Sequence, residues 1–108
     1  MRNIRLQLGE LLVTVENYPL RFAVFLPEDE MWTVSSDAVL ADIDEMEPDV
    51  DWIELDGKRY KNALGLDAVV DVVVNARLQR SDLTVEVLMK AFLYYYDRDA
   101  FIEIKRGT

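Results

Sequence analysis

The chain has 108 residues, 51% hydrophobic and 31% charged, with no cysteine, no histidine and a formal net charge of −9. That length makes one domain able to bury roughly 65% of its unfolded surface. The composition excludes a disulfide framework, histidine or thiol catalysis, and an apolar run of the ~20 residues that would span a bilayer. The charge is strongly asymmetric. From Phe22 to Gly57 there are twelve carboxylates and no lysine or arginine, so this segment carries −12 and the remainder +3. Such asymmetry makes a directional field that attracts cationic partners and repels nucleic acid and anionic lipid.

Taken in chain order, residues 3–16 show helical spacing, with Ile4, Leu8, Leu11, Leu12 and Val15 on one face and Asn3 as a cap. Gly9 weakens that helix, and Val13-Thr14-Val15 also suits the start of a strand. Asn17-Tyr18-Pro19 interrupts the pattern. Phe22 to Leu26 reads as a buried strand, ended by Pro27 and the acidic turn Glu28-Asp29-Glu30, with Trp32-Thr33-Val34 as a short extension. Ala38 to Ala41 reads as a second strand, and residues 42–51 as an acidic loop containing Pro48. Trp52-Ile53-Glu54-Leu55 meets Asp56-Gly57, a hairpin signal, with Lys58 to Lys61 as the returning strand.

Asp67 caps a helix reaching about Arg80, with Leu66, Val69, Val70, Val73 and Ala76 inward. Its five valines (Val69, Val70, Val72, Val73, Val74) lower the helix propensity, so packing must hold it. Ser81-Asp82 punctuates, and Asp82 or Thr84 opens a second helix to about Tyr96, with Val85, Leu88, Ala91, Phe92 and Tyr95 on one stripe. Phe101 to Ile104 reads as a closing strand. The expectation is a single α+β domain over 1–108. It has a small antiparallel or mixed sheet, an N-terminal helix, and two consecutive helices (about 67–80 and 83–96) packed on it.

The side chains that usually carry catalysis are missing. Ser35, Ser36 and Ser81 lie outside any nucleophile-elbow motif, and Gly9, Gly57, Gly65 and Gly107 are isolated, so no phosphate loop is present. No enzyme activity and no cofactor are expected. Asp42-x-Asp44 and Asp49-x-Asp51 look like the opening of a cation loop. Counted from Asp42, however, the fifth position is Met46, the sixth is Glu47 where glycine is required, and the twelfth is Ile53. The loop therefore reads as solvated rather than as a metal site.

Large apolar residues interleave with the acids: Met31, Trp32, Met46, Trp52 and Ile53. Aromatic anchors within a charged rim are the composition of a protein interface. The candidate partner-binding set is Trp32, Asp42, Asp44, Glu45, Glu47, Asp49, Asp51 and Trp52, although core roles suit the two tryptophans equally well. Tyr94-Tyr95-Tyr96 forms a second feature. Neighbours on a helix point about 100° apart, so at least one ring faces solvent, a partner or a second copy of the chain. Nucleic acid is not an expected partner, because phosphate would be repelled.

Several stretches share a resemblance: Lys61-Asn62-Ala63-Leu64-Gly65-Leu66 leading to Val70, Val73, Asn75-Ala76 and Gln79; Lys90-Ala91-Phe92-Leu93-Tyr94-Tyr95-Tyr96; and Asp99-Ala100-Phe101-Ile102. With Phe25-Leu26-Pro27 and Trp32 upstream, the chain resembles small acidic bacterial immunity proteins of contact-dependent growth inhibition and related polymorphic toxin systems. The resemblance implies a cytoplasmic protein that binds and blocks one cognate toxin domain, often a nuclease, and it supplies no map of the contact. The absence of an apolar leader after Met1-Arg2-Asn3-Ile4-Arg5 and of cysteine points to the same compartment. The alternative is a non-catalytic homodimeric interaction or scaffold module using the Tyr94–Tyr96 helix. A third reading is a small metal-dependent enzyme or cation sensor built on the acidic loop.

Overall fold

The runs FAVFLP and DAVLAD have no polar alternation in their interiors, which is the pattern of strands buried on both faces. In the computed structural model, which describes residues 3–46 and 50–104, these runs are β2 (Phe22–Pro27) and β3 (Asp37–Asp42). Around them lie β1 (Asn3–Gln7), α1 (Leu8–Thr14), β4 (Trp52–Leu55), β5 (Lys58–Gly65), α2 (Leu66–Gln79) and α3 (Val85–Arg98). Short 3-10 turns follow α1 at Val15–Asn17 and β3 at Ile43–Glu45. The five strands form one antiparallel sheet in the order β1-β3-β2-β5-β4. The architecture is α+β.

One face of the sheet meets the helices. Val24, Leu26, Ala38 and Leu40 pack with Leu8, Leu11 and Leu12 of α1, Leu66, Val69 and Val73 of α2, and Leu88 and Phe92 of α3. The other face buries Ala23, Phe25, Val39, Ala41 and Tyr60, and among the described residues no helix packs on it. Met46, Val50, Ile53 and Leu55 pack against it instead and cover this second core.

The sheet curls to make this possible. A register shift between Val24 and Phe25 in the β2–β5 pairing leaves Ala63 of β5 unmatched, and such bulges increase local twist. Although β3 and β2 lie between β1 and β5, Arg5 of β1 reaches the hairpin at the far side. Its Nη1 donates to Asp56 Oδ2 at 2.6 Å and its Nη2 to the Tyr60 hydroxyl at 3.3 Å. The Tyr60 hydroxyl in turn donates to Asp37 Oδ2 at 3.5 Å. Asp56 and Gly57 both hold positive φ (54° and 77°), the requirement of the tightest hairpin turn.

The helix expected over 3–16 is divided. Asn3–Gln7 pairs rung for rung with Asp37–Ala41, and only Leu8 onward is helical. Ile4 and Leu6 supply the apolar side of a strand, and pairing with β3 outweighs the helical spacing; Asn3 is therefore no cap. At the corner, a Cβ on Gly9 would lie 3.0 Å from both Cβ and the carbonyl oxygen of Val34, so glycine permits the strand-to-helix turn.

The helix expected at 67–80 starts at Leu66, with Gly65 in the cap position. Asp67 sits in the first turn, where its charge favours the helix dipole. Val72 is buried, while Val70 is only half-buried. Thr84 caps α3 by accepting from Val87 N–H at 3.3 Å, and the helix runs to Arg98, ending at Asp99 in the left-handed region. Two expected strands are absent. Trp32-Thr33-Val34 is a turn tied by Ser36, and Phe101–Ile104 has no backbone ladder. The Gln79 side chain substitutes for one, donating to the Ile102 carbonyl and accepting from Ile104 N–H at 2.8 and 2.7 Å.

The second core generates a stability test. Phe25→Ala should destabilise the domain by ~3–5 kcal/mol, whereas Tyr60→Phe, which removes only the hydroxyl, should cost about 0.5–1.5 kcal/mol. Urea unfolding of the two variants measures the difference, and equally small losses would contradict a buried second face.

Candidate protein-binding surface

Folding sorts the acidic segment into neutralised and free carboxylates. Cations from outside the segment pair with five of its acids: Glu28 with Arg59 (3.2 Å), Glu30 with Lys58 (3.3 Å), Asp42 with Arg21 (2.7 Å), and Asp37 and Asp56 with Arg5 (4.0 and 2.6 Å). Among the described residues, no ion pair engages Asp29, Asp44, Glu45, Asp51 or Glu54, and all five are exposed. Glu47 and Asp49, expected to contribute charge, lie outside the described residues.

Asp42, expected in the partner contact, acts in the fold as a structural cap. It is only 7% exposed, receives Arg21 Nε at 2.7 Å, and accepts Asp44 N–H at 3.0 Å to start the 3-10 turn. The hydrogen bond from Arg21 holds its pKa below the ordinary 3.8. Partial burial opposes this lowering, while the Asp44 amide and the Arg21 charge add to it. What Asp42 contributes is orientation: the turn it caps presents Asp44 and Glu45 to solvent.

The tryptophans separate. Trp32 packs on the helix side, its ring 4.8 Å from Tyr96 in a T-shaped contact and 6.4 Å from Phe92, with Nε1 donating to the Pro27 carbonyl at 2.7 Å. Met46, Val50, Ile53 and Leu55 pack on the opposite face of the sheet, so Trp32 does not join them. Trp52 sits on the outer strand, 49% exposed, with the Arg59 guanidinium 3.9 Å from its ring centre. Arg59 is held in turn by Glu28, so the indole has one braced face and one open to solvent. Met46 and Ile53, two of the apolar residues interleaved with the acids, pack into the second core. Met31 is 91% exposed.

Glu54 was not singled out by sequence reasoning, yet it is exposed beside Trp52 on the same side of β4. The period-two pattern of Trp52-Ile53-Glu54-Leu55 was the available signal, because Ile53 and Leu55 point into the second core. The tyrosine run also resolves locally. Tyr94 lies under Arg98 (5.1 Å), Tyr95 against Phe101 (5.5 Å), and Tyr96 against Trp32 and Lys61 (5.5 Å to the latter), leaving all three half-buried. Among the described residues, no group of three or more acidic side chains converges as a metal site, and no helix is long and apolar enough to cross a membrane.

With this geometry in place, a family model matches residues 5–104. The chain belongs to the DUF7716 family. That family is described as a domain of unknown function, and its match takes in nearly the whole described fold of this DUF7716 domain, from Arg5 to the Gln79-bound Ile104. No curated protein and no solved structure matches the chain.

The Arg21–Asp42 pair makes stability depend on pH with a definite sign. The folded carboxylate has the lower pKa, so its contribution is full above 3.8 and is lost as pH falls from there through the depressed folded value. Urea unfolding between pH 6 and 2 should show Asp42→Asn less stable than the native chain near neutrality, with the gap closing below that value. A gap independent of pH would contradict the pairing.

Proposed function

We propose that this domain is a non-catalytic protein-binding module that captures a basic protein partner and blocks it by occlusion. The observation that carries this reading is that Asp44, Glu45, Asp51 and Glu54 are exposed and, among the described residues, in no ion pair, while Trp52 is half-exposed and braced by Arg59. Five neighbouring acids are already satisfied within the fold, so the remaining charge faces outward. Complementary charge of this kind accelerates association and selects partners more than it raises raw affinity. Nucleic acid and anionic membranes are disfavoured for the same reason.

The resemblance to immunity proteins makes a toxin domain the partner class, and a nuclease the best electrostatic fit. A nuclease presents a positive cleft to its phosphate substrate, and an acidic inhibitor can cover that cleft. In this reading the protein works in the cytoplasm and needs no cofactor. The alternative, a homodimeric scaffold built on Tyr94–Tyr96, has less support, because each ring has a partner within its own chain.

Affinity capture from the source organism at low salt, with the native chain and the triple variant Asp44→Lys, Glu45→Lys, Asp51→Lys side by side, tests the proposal. The native chain should retain one basic protein that elutes as salt rises. The variant should associate about 10–100-fold more slowly while keeping its thermal midpoint. Equal retention by both chains, or recovery of the bait alone, would refute the acidic-capture reading.

A further inference from the structure

The sheet ends at β4, which pairs only with β5. In an antiparallel pair, residues alternate between those that exchange backbone hydrogen bonds with the neighbour and those that do not. Asn62 N–H donates to the Asp51 carbonyl at 2.8 Å, which makes Asp51, Ile53 and Leu55 the positions directed at β5. Trp52 and Glu54 therefore turn their N–H and C=O groups outward. The other side of β5 agrees with this phase. Glu28 N–H donates to the Arg59 carbonyl at 3.0 Å, and Pro27, which has no N–H to offer, stands opposite Tyr60, whose backbone points at β4. Among the described residues, no backbone group bonds to the outer side of Trp52–Leu55.

Natural sheet edges are usually blunted by lysine, proline, bulges or a covering element. β4 is short and carries Glu54, but it has no lysine, proline or bulge, and its sequence alternates an outer pair, Trp52 and Glu54, with an inner pair, Ile53 and Leu55. We propose that this edge accepts an extended, cationic segment of a basic partner as a sixth strand. The inference rests on the basic-partner reading above and specifies how that partner is held.

Charge selects the occupant. A second copy of the chain, itself of net charge −9, would bring a second set of acids, its own Asp51 and Glu54 among them, to the same edge. A lysine or arginine directly across from Glu54 on the same face makes a favourable cross-strand pair. An apolar residue two positions along falls against the open face of Trp52. The intervening residues of the incoming strand extend the Ile53, Leu55 and Tyr60 layer of the second core. The Arg59–Glu28 brace fixes the indole before binding, so little side-chain freedom is lost on contact.

The test uses the whole nitrogen-15-labelled chain, titrated with a capped octapeptide of two Lys-Val-Val-Val units, which puts lysine and valine two apart on one face and valine on the other, and with its counterpart in which glutamate replaces lysine. The basic peptide should shift the amide signals of Trp52 and Glu54 and slow their hydrogen exchange; the acidic peptide should do neither. Glu54→Pro deletes one outward N–H without breaking a rung to β5. It should bind the basic peptide about fivefold more weakly than Glu54→Gln, which removes the charge but keeps the donor. Should Glu54→Pro fail to fold, the exchange protection of the native chain decides. Shifts confined to Asp44 and Glu45 would overturn the edge proposal and leave acidic capture standing. Binding of neither peptide, or equal binding of both, would overturn it as well. Protection of the Trp52 and Glu54 amides that rises with chain concentration alone would assign the edge to a second copy.

Discussion

Burial of β2 and β3 on both faces is the constraint from which the rest of this fold follows. Three helices can cover one side of so small a sheet, and they do. The other side still exposes Phe25, Val39 and Tyr60 unless the chain finds a further cover, and no helix remains to supply one. The cover comes from Met46, Val50, Ile53 and Leu55, whose side chains turn inward onto that face. Curling of the sheet, assisted by the bulge at Ala63, brings the hairpin tip to Arg5 and closes the arrangement with charge-assisted hydrogen bonds.

This cover also determines the electrostatics. A segment that turns its apolar side chains inward turns its acids outward, so the acidic face is a by-product of closing the second core. Neutralisation then trims it. Arg5, Arg21, Lys58 and Arg59, all from outside the acidic run, pair with five of its acids. Individually these exposed pairs add little stability. Their larger effect is selection, because they leave Asp44, Glu45, Asp51 and Glu54 as the outward field.

On the helix side, the aromatic and cationic residues form a continuous packing system. Lys61 lies over both Trp32 and Tyr96, at 5.2 and 5.5 Å, and Arg59 over Trp52 at 3.9 Å, so β5 presents alternate cations to rings from the 32–34 turn, from α3 and from β4. Cation–ring contacts of this sort are modest where solvent reaches them. Here they join the outer strand to the helical layer, which keeps Trp52 and Glu54 in a fixed relation to the rest of the domain.

Elements whose character is local were legible from residue order alone. The apolar runs of β2 and β3, the Asp56-Gly57 hairpin, the Thr84-capped α3, the α+β class and the confinement of charge to residues 22–57 depend on propensity, turn chemistry and composition, which neighbouring residues carry. Elements that depend on a distant partner were not. Asn3–Gln7 is a strand because β3 is there to pair with it, against a spacing that suits a helix. Phe101–Ile104 lacks a ladder because the Gln79 side chain satisfies it. The same division runs through the candidate surface. Sequence showed that the segment is acidic and contains tryptophan, since charge and residue type are properties of the chain. Only the tertiary structure decided that Trp32 is packed and Trp52 half-exposed, that Asp42 is a cap and Glu54 exposed. Burial and ion pairing are set by residues tens of positions away, brought close by the curl of the sheet.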